Sequence, residues 1–171
     1  MPGHRQRHVF ITGATGYIGS RLAPLLLSRG HRVTALTREE SRQKLPKGCD
    51  VAIGDALTCA RVSHFVYVSV AHPAPAMKAY IDARSQCEDA LRESGLNCTI
   101  LRPWYVLGPG HRWPYFLLPF YKIAELWPST RAAARRLGLV TLPQMVNALA
   151  QSADNPPTGI RILEVPEIRT V

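Results

Sequence analysis

Seven residues near the N-terminus constrain this chain more than any other feature: Gly13-Ala14-Thr15-Gly16-Tyr17-Ile18-Gly19. They follow a short apolar run, His8 to Thr12, and from Ile18 onward Leu22, Leu25 and Leu26 repeat at helical spacing up to Arg29-Gly30. The pattern reads as strand, glycine turn, helix. In such a turn the first glycine permits the tight bend and the middle one lets backbone approach a pyrophosphate. The third lets the helix pack on the strand, so that amides and the helix dipole face the anion. Pro24 falls inside the helix and predicts a kink there.

The same alternation continues. Arg32 to Thr37 and Asp50 to Ile53 read as strands, with a short helix around Ser41 to Lys44 between them. His64 to Val70 is rich in β-branched and aromatic residues, as a buried parallel strand requires. A helix is expected from about Ala76 to Ser94, closed by Gly95, and a further strand within Cys98 to Val106, broken at Arg102-Pro103 and followed by Gly108-Pro109-Gly110. Thr141 and Gln144 have capping-box spacing for a helix to about Gln151, and Ile160 to Val165 alternates like a late strand. The fold class is therefore α/β, a Rossmann-like doubly wound parallel sheet.

With 171 residues, 46% of them hydrophobic, the chain has the material for one domain. Residues 1 to 7 are expected as a flexible tail, and 111 to 171 as a C-terminal substrate-side or capping portion. Residues 112 to 127 interleave six aromatics with prolines. No apolar run reaches the roughly 20 residues of a membrane span, and the start lacks an apolar signal core, so an intracellular, cytoplasmic protein is expected. Cys49, Cys59, Cys87 and Cys98 fall singly, which argues for buried thiols rather than a metal site or a disulfide framework. The histidines in loops, His72 and His111, have no clustered ligands beside them.

The charge is uneven. Residues 1 to 47 carry nine bases against two acids, within a net charge of +9 for the chain. That points to an anionic ligand near the N-terminal half or to a merely solvated basic tail. A nucleic-acid partner is not expected, because no Lys/Arg run, helix-turn-helix pattern or basic stretch interleaved with aromatics is present. After the second strand stands Arg38 where an acid would accept the ribose hydroxyls of NAD, and a guanidinium there can pair a 2′-phosphate. NADP is thus favoured over NAD, with a surface charge next to Glu39 as the alternative for Arg38. Arg5, Arg7 and Arg42 are weaker candidates.

Together, the run Val9 to Gly19, Gly54-Asp55, Val66-Tyr67-Val68-Ser69 and Leu101-Arg102-Pro103 to Gly108-Pro109-Gly110 resemble the extended and atypical short-chain dehydrogenase/reductase superfamily. Within it the chain looks most like NmrA-like and nucleoside-diphosphate-sugar epimerase-like proteins, including relatives of the complex I 39-kDa-type subunit. The resemblance implies NAD(P) held by Gly13, Ala14, Thr15, Gly16, Tyr17, Ile18 and Gly19, with Asp55 near the adenine and Pro103 also at the cofactor. It implies an oxidoreductase or epimerase-like activity on a small-molecule substrate.

Superfamily enzymes place a Tyr-x-x-x-Lys on one helix face and a hydroxyl at the end of the preceding strand. Here the helix has Tyr80-Ile81-Asp82-Ala83-Arg84, and the strand end offers Ser69. Tyr80 would be the acid/base, Arg84 would stand in for the lysine, and Ser69 would orient a carbonyl. Arginine's planar head does not simply replace an ammonium. The alternative makes Tyr80 and Arg84 an exposed face, with Glu88 as the i+4 ion-pair partner of Arg84. A non-catalytic NAD(P)-binding module acting through a protein partner is then the rival function.

The resemblance breaks after Asp55, where only eight residues, Ala56 to Ser63, precede the next strand. The superfamily spends a β-α unit or more here. Reaching even the fourth strand position in the order 3-2-1-4-5-6 takes about 22 Å, and eight residues extend to at most roughly 30 Å, too little for a crossover helix. A lost and repacked segment, an internally deleted gene product, and a strained loop with a neighbouring subunit in the gap are all compatible. A gap there exposes an edge of the first strand, which invites dimerisation or aggregation.

Overall fold

The computed structural model describes residues 5–53, 62–72, 77–109 and 138–171. Gly54-Asp55 and the short connection to residue 61, Cys59, Gly110-His111 and the aromatic segment 112 to 127 lie outside the described residues. The chain forms two compact units, residues 1–62 with 149–155, and residues 63–148 with 156–171.

In the first unit β1 (His8–Thr12), β2 (Arg32–Thr37) and β3 (Asp50–Ile53) form a parallel sheet in the order β1-β2-β3. Ile11 stands beside Ala35, and Ala35 beside Val51. The strand period of two sends Ile11, Val33 and Ala35 into the core with Ala23 and Leu26 of α1 (Gly19–Ser28), while His8, Phe10 and Thr12 point to the other face. Helix α1 continues through Pro24 to Ser28. It ends in a Schellman-type turn, with Gly30 at φ +82° and the His31 amide donating to the Leu26 carbonyl at 3.1 Å. The helix expected around Ser41 to Lys44 is a 3-10 helix over Glu39–Lys44.

In the second unit β4 (Phe65–Val68), β5 (Cys98–Leu101) and β8 (Ile160–Leu163) form a parallel sheet in the order β4-β5-β8, with Tyr67 beside Ile100 and Ile100 beside Ile162. Every residue of β5 is buried, as befits the central strand. Helix α2 (Lys78–Glu93) is followed by Gly95 at φ +68°, the expected stop. Strands β6 (Tyr105–Leu107) and β7 (Leu139–Thr141) pair in parallel.

Helix α3 (Leu142–Asp154) opens with the expected box: the Thr141 amide donates to Gln144 Oε1 at 2.9 Å and the Gln144 amide to Thr141 Oγ1 at 3.4 Å. The last helix, α4 (Val165–Thr170), is capped by Glu164 and Glu167. All strand pairs among the described residues are parallel, and the architecture is a Rossmann-like α/β fold. Among the described residues no strand falls between β3 and β4, and no helix is long and apolar enough to cross a membrane.

Candidate functional site

The glycine turn occupies the end of β1. Gly13 adopts φ +69°, a conformation that residues with a Cβ resist, and its carbonyl accepts the Gly16 amide at 2.9 Å. Gly19, the first residue of α1, sits so close that a Cβ there would meet the Gly13 carbonyl oxygen at 2.2 Å and the Ala14 Cα at 2.7 Å. At Gly16 a Cβ would stand 3.1 Å from the same oxygen. Each glycine thus has a separate steric reason. Ala14 is buried while Gly13 and Gly16 face solvent, and no side chain caps the start of α1. Thr15, Tyr17 and Ile18 complete the turn, partly buried. An exposed backbone arc at a helix N-terminus is a shape that receives phosphate oxygens.

Arg38 follows β2 directly, exposed, at the cap of the 3-10 helix. Its side chain has no partner among the described residues. Glu39, the neighbour that could have neutralised it, pairs with Arg42 at 3.7 Å. Asp55 lies outside the described residues.

In the second unit the Tyr80 and Arg84 spacing closes into a contact. Arg84 Nε donates to Tyr80 Oη at 3.1 Å, and its Nη1 donates to Tyr67 Oη at 3.1 Å and to the Val68 carbonyl at 3.2 Å. The guanidinium carbon lies 5.1 Å from the Tyr80 ring centroid and 5.6 Å from that of Tyr67. Burial raises the Tyr67 phenol above its ordinary range against the opposing pull of Arg84, and the bond to Tyr67 in turn holds the guanidinium proton more tightly. Tyr80 is 43% exposed.

Ser69 does not join them. Its side chain is buried and its hydroxyl donates to Glu88 Oε1 at 2.6 Å. Glu88 is fully buried, and the expected i+4 pair with Arg84 is replaced by a different network. Arg102 donates from Nε to Oε1 at 3.1 Å and from Nη2 to Oε2 at 2.5 Å, and Arg92 adds a bond to Oε2 at 3.1 Å. His72 Nε2 lies 3.5 Å from Oε1, and Arg102 Nη1 reaches Glu164 at 3.4 Å. Burial opposes the charge on Glu88, but the bonds from Arg102 and Ser69 and the charges of Arg102 and His72 outweigh it, and the carboxyl is lowered to about 2. Pro103, buried, accepts the Ala71 amide at 2.9 Å, which ties together the segments that follow β4 and β5.

Two features escaped the sequence. Glu88 continues the buried face of α2 that Ile81 begins, so a charged residue at apolar spacing was the available signal. Of the four cysteines expected as buried thiols, Cys98 is buried, Cys49 is half-buried, and Cys87 is exposed on α2, because position 87 falls beside rather than on the buried stripe.

Residues 9–85 match the model of the NAD dependent epimerase/dehydratase family, a span that holds the glycine turn, Arg38, Ser69, Tyr80 and Arg84. A search of curated proteins finds no match. Among solved structures the chain is similar to a wide-type short-chain dehydrogenase/reductase from Veillonella parvula in complex with NADP. That likeness has 16% identity over 90% of this chain and 90% of that one, at a TM-score of 0.61. It is similar also to a UDP-glucose 4-epimerase from Thermotoga maritima with UDP-glucose, at 15% identity over 92% and 76% of the two chains and a TM-score of 0.59. The Bordetella bronchiseptica enzyme WbmH in complex with NAD+ matches at 21% identity over 93% and 86%, with a TM-score of 0.50. The chain has the Rossmann-like fold of the short-chain dehydrogenases/reductases, and its residues 9–85 carry the signature of the NAD dependent epimerase/dehydratase family.

Proposed function

We propose that this protein binds a nicotinamide dinucleotide on the Gly13 to Gly19 turn, with NADP preferred over NAD. The observation that carries the reading is the approach of Gly19 to Gly13, which excludes any Cβ and leaves an exposed backbone arc at the start of α1. Arg38 supports NADP, since it stands exposed at the end of β2 and its acidic neighbour is engaged by Arg42. The NADP and NAD+ complexes among the similar structures agree with a cofactor of this class. Asp55 and Pro103 belong to the same proposal by the resemblance of their motifs, as does a place beside the NmrA-like and nucleoside-diphosphate-sugar epimerase-like proteins.

Bound, the nicotinamide ring would supply hydride chemistry. In an oxidoreductase or epimerase-like reaction Tyr80 would hold and pass the proton at Oη, Arg84 would fix that oxygen, and Ser69 would orient a carbonyl. A second reading, a non-catalytic NAD(P)-binding module that presents a surface to a protein partner, is favoured by the bond that commits the Ser69 hydroxyl to Glu88. The ratio of NADPH to NADH affinity in the wild type and in Arg38→Ala tests the cofactor assignment. We expect the wild-type preference for NADPH to fall about tenfold in the variant, while NADH binding stays unchanged. An equal loss for both cofactors would remove Arg38 from the site.

A further inference from the structure

A buried polar cluster in the first unit has no part in the function proposed above. His31, its side chain fully buried, meets Asp154 through Nε2 and Oδ1 at 2.7 Å, and Arg29 Nη1 donates to Asp154 Oδ2 at 2.6 Å. The Arg7 amide donates to His31 Nδ1 at 3.3 Å, and Arg7 Nη2 donates to the Asp154 carbonyl at 3.2 Å. The cluster therefore joins the residue before β1, the cap of α1, the residue before β2 and the last residue of α3.

The placement of these four has a mechanical consequence. Strand β1 enters the glycine turn and α1 leaves it, so the turn lies at one end of both elements. Arg7 and Arg29 lie at the opposite ends, about 15 Å away along a ten-residue helix and a five-residue strand. The placement of α1 against β1 sets the approach of Gly19 to Gly13, and close-packed elements transmit small shifts along their length. Between the two ends, Ala14 of the turn and Ala150 of α3 share one buried cluster, with Ala153 packed against it.

We propose that Asp154 is a positioning residue for the dinucleotide turn, acting through Arg7, Arg29 and His31 to hold β1 and α1 in the offset that the Gly13 to Gly19 arc requires. The proposal rests on the NAD(P) reading for its functional meaning, and its structural half stands without it.

The test compares wild type, Asp154→Asn and Asp154→Glu by amide hydrogen exchange and by calorimetric titration with NADPH. In Asp154→Asn we expect exchange of the Gly13 to Gly19 peptide to rise at least fivefold while that of Asp50–Ile53, in the same unit, stays unchanged. NADPH affinity should fall about tenfold, and Asp154→Glu, which keeps the charge, should recover part of both. Unchanged exchange at the turn, or an equal rise in both peptides, overturns the proposal, since the second outcome makes Asp154 a general stabiliser. If wild type binds neither NADPH nor NADH, the cofactor reading fails, and the exchange measurement still decides the role of Asp154. If Asp154→Asn does not fold, Arg29→Gln removes one partner and is read on the same peptides.

Discussion

Arg102 closes on Glu88 with two edges of its guanidinium, Nε on Oε1 and Nη2 on Oε2, around a carboxylate with no solvent exposure. A fork-to-carboxylate pair of this kind fixes direction as well as distance. It joins the middle of α2 to the end of β5, while the same carboxylate takes the hydroxyl at the end of β4. Removing one partner leaves a buried charge unpaired, so Glu88→Gln or Arg102→Met should each cost about 3–5 kcal/mol in urea unfolding. The double variant Glu88→Gln with Arg102→Met should cost less than the sum. A strictly additive pair would show that the two residues do not act as a unit.

The pH dependence follows from the same carboxylate. Its folded value of about 2 lies below the ordinary 4.5, so its contribution to stability is full above the unfolded value and is lost as pH falls from about 4.5 towards 2. The loss is on the order of 1–3 kcal/mol. Asp154 is also held low, with burial opposed by His31 and Arg29, and acts in the same direction. Urea midpoints measured between pH 6 and pH 3 should therefore fall more steeply for wild type than for Glu88→Gln. Parallel slopes would count against the assignment.

The glycines of the turn should respond differently to alanine. Gly13→Ala meets open space but must hold φ +69°, a strain of roughly 1–2 kcal/mol. Gly19→Ala drives a methyl into the Gly13 carbonyl and must displace the turn. We expect Gly19→Ala to abolish NADPH binding in a protein that still folds, and Gly13→Ala to weaken it with a lower melting temperature. Equal effects of the two would contradict the packing described here.

Arg84→Lys creates a Tyr-x-x-x-Lys spacing but keeps Ser69 on Glu88. An ammonium cannot reproduce the bonds that Arg84 divides between Tyr80, Tyr67 and the Val68 carbonyl. The single substitution should create no NADPH-dependent turnover over a panel of carbonyl and sugar-nucleotide substrates. Turnover that appears in Arg84→Lys and disappears on adding Tyr80→Phe would favour the catalytic reading over the binding module.

Locally encoded features were legible in the sequence. The strand, turn and helix around Gly13, the stop at Gly95 and the box of Thr141 with Gln144 each depend on residues within a few positions of one another. Glu88 was misassigned because helix spacing offers Arg84 as a partner four residues away, whereas the buried partner, Arg102, comes from the next strand end. Asp154 is bound by residues more than a hundred positions earlier, which no periodicity reports. Ser69 was correctly placed at a strand end, but the direction of its hydroxyl was set by that same hidden carboxylate.

The most direct test of the account is a calorimetric titration of folded, monodisperse wild-type protein with NADPH and then NADH. The account predicts micromolar binding with NADPH the tighter of the two. A folded sample that binds neither would contradict it, and would leave the glycine turn as a packing device without a ligand.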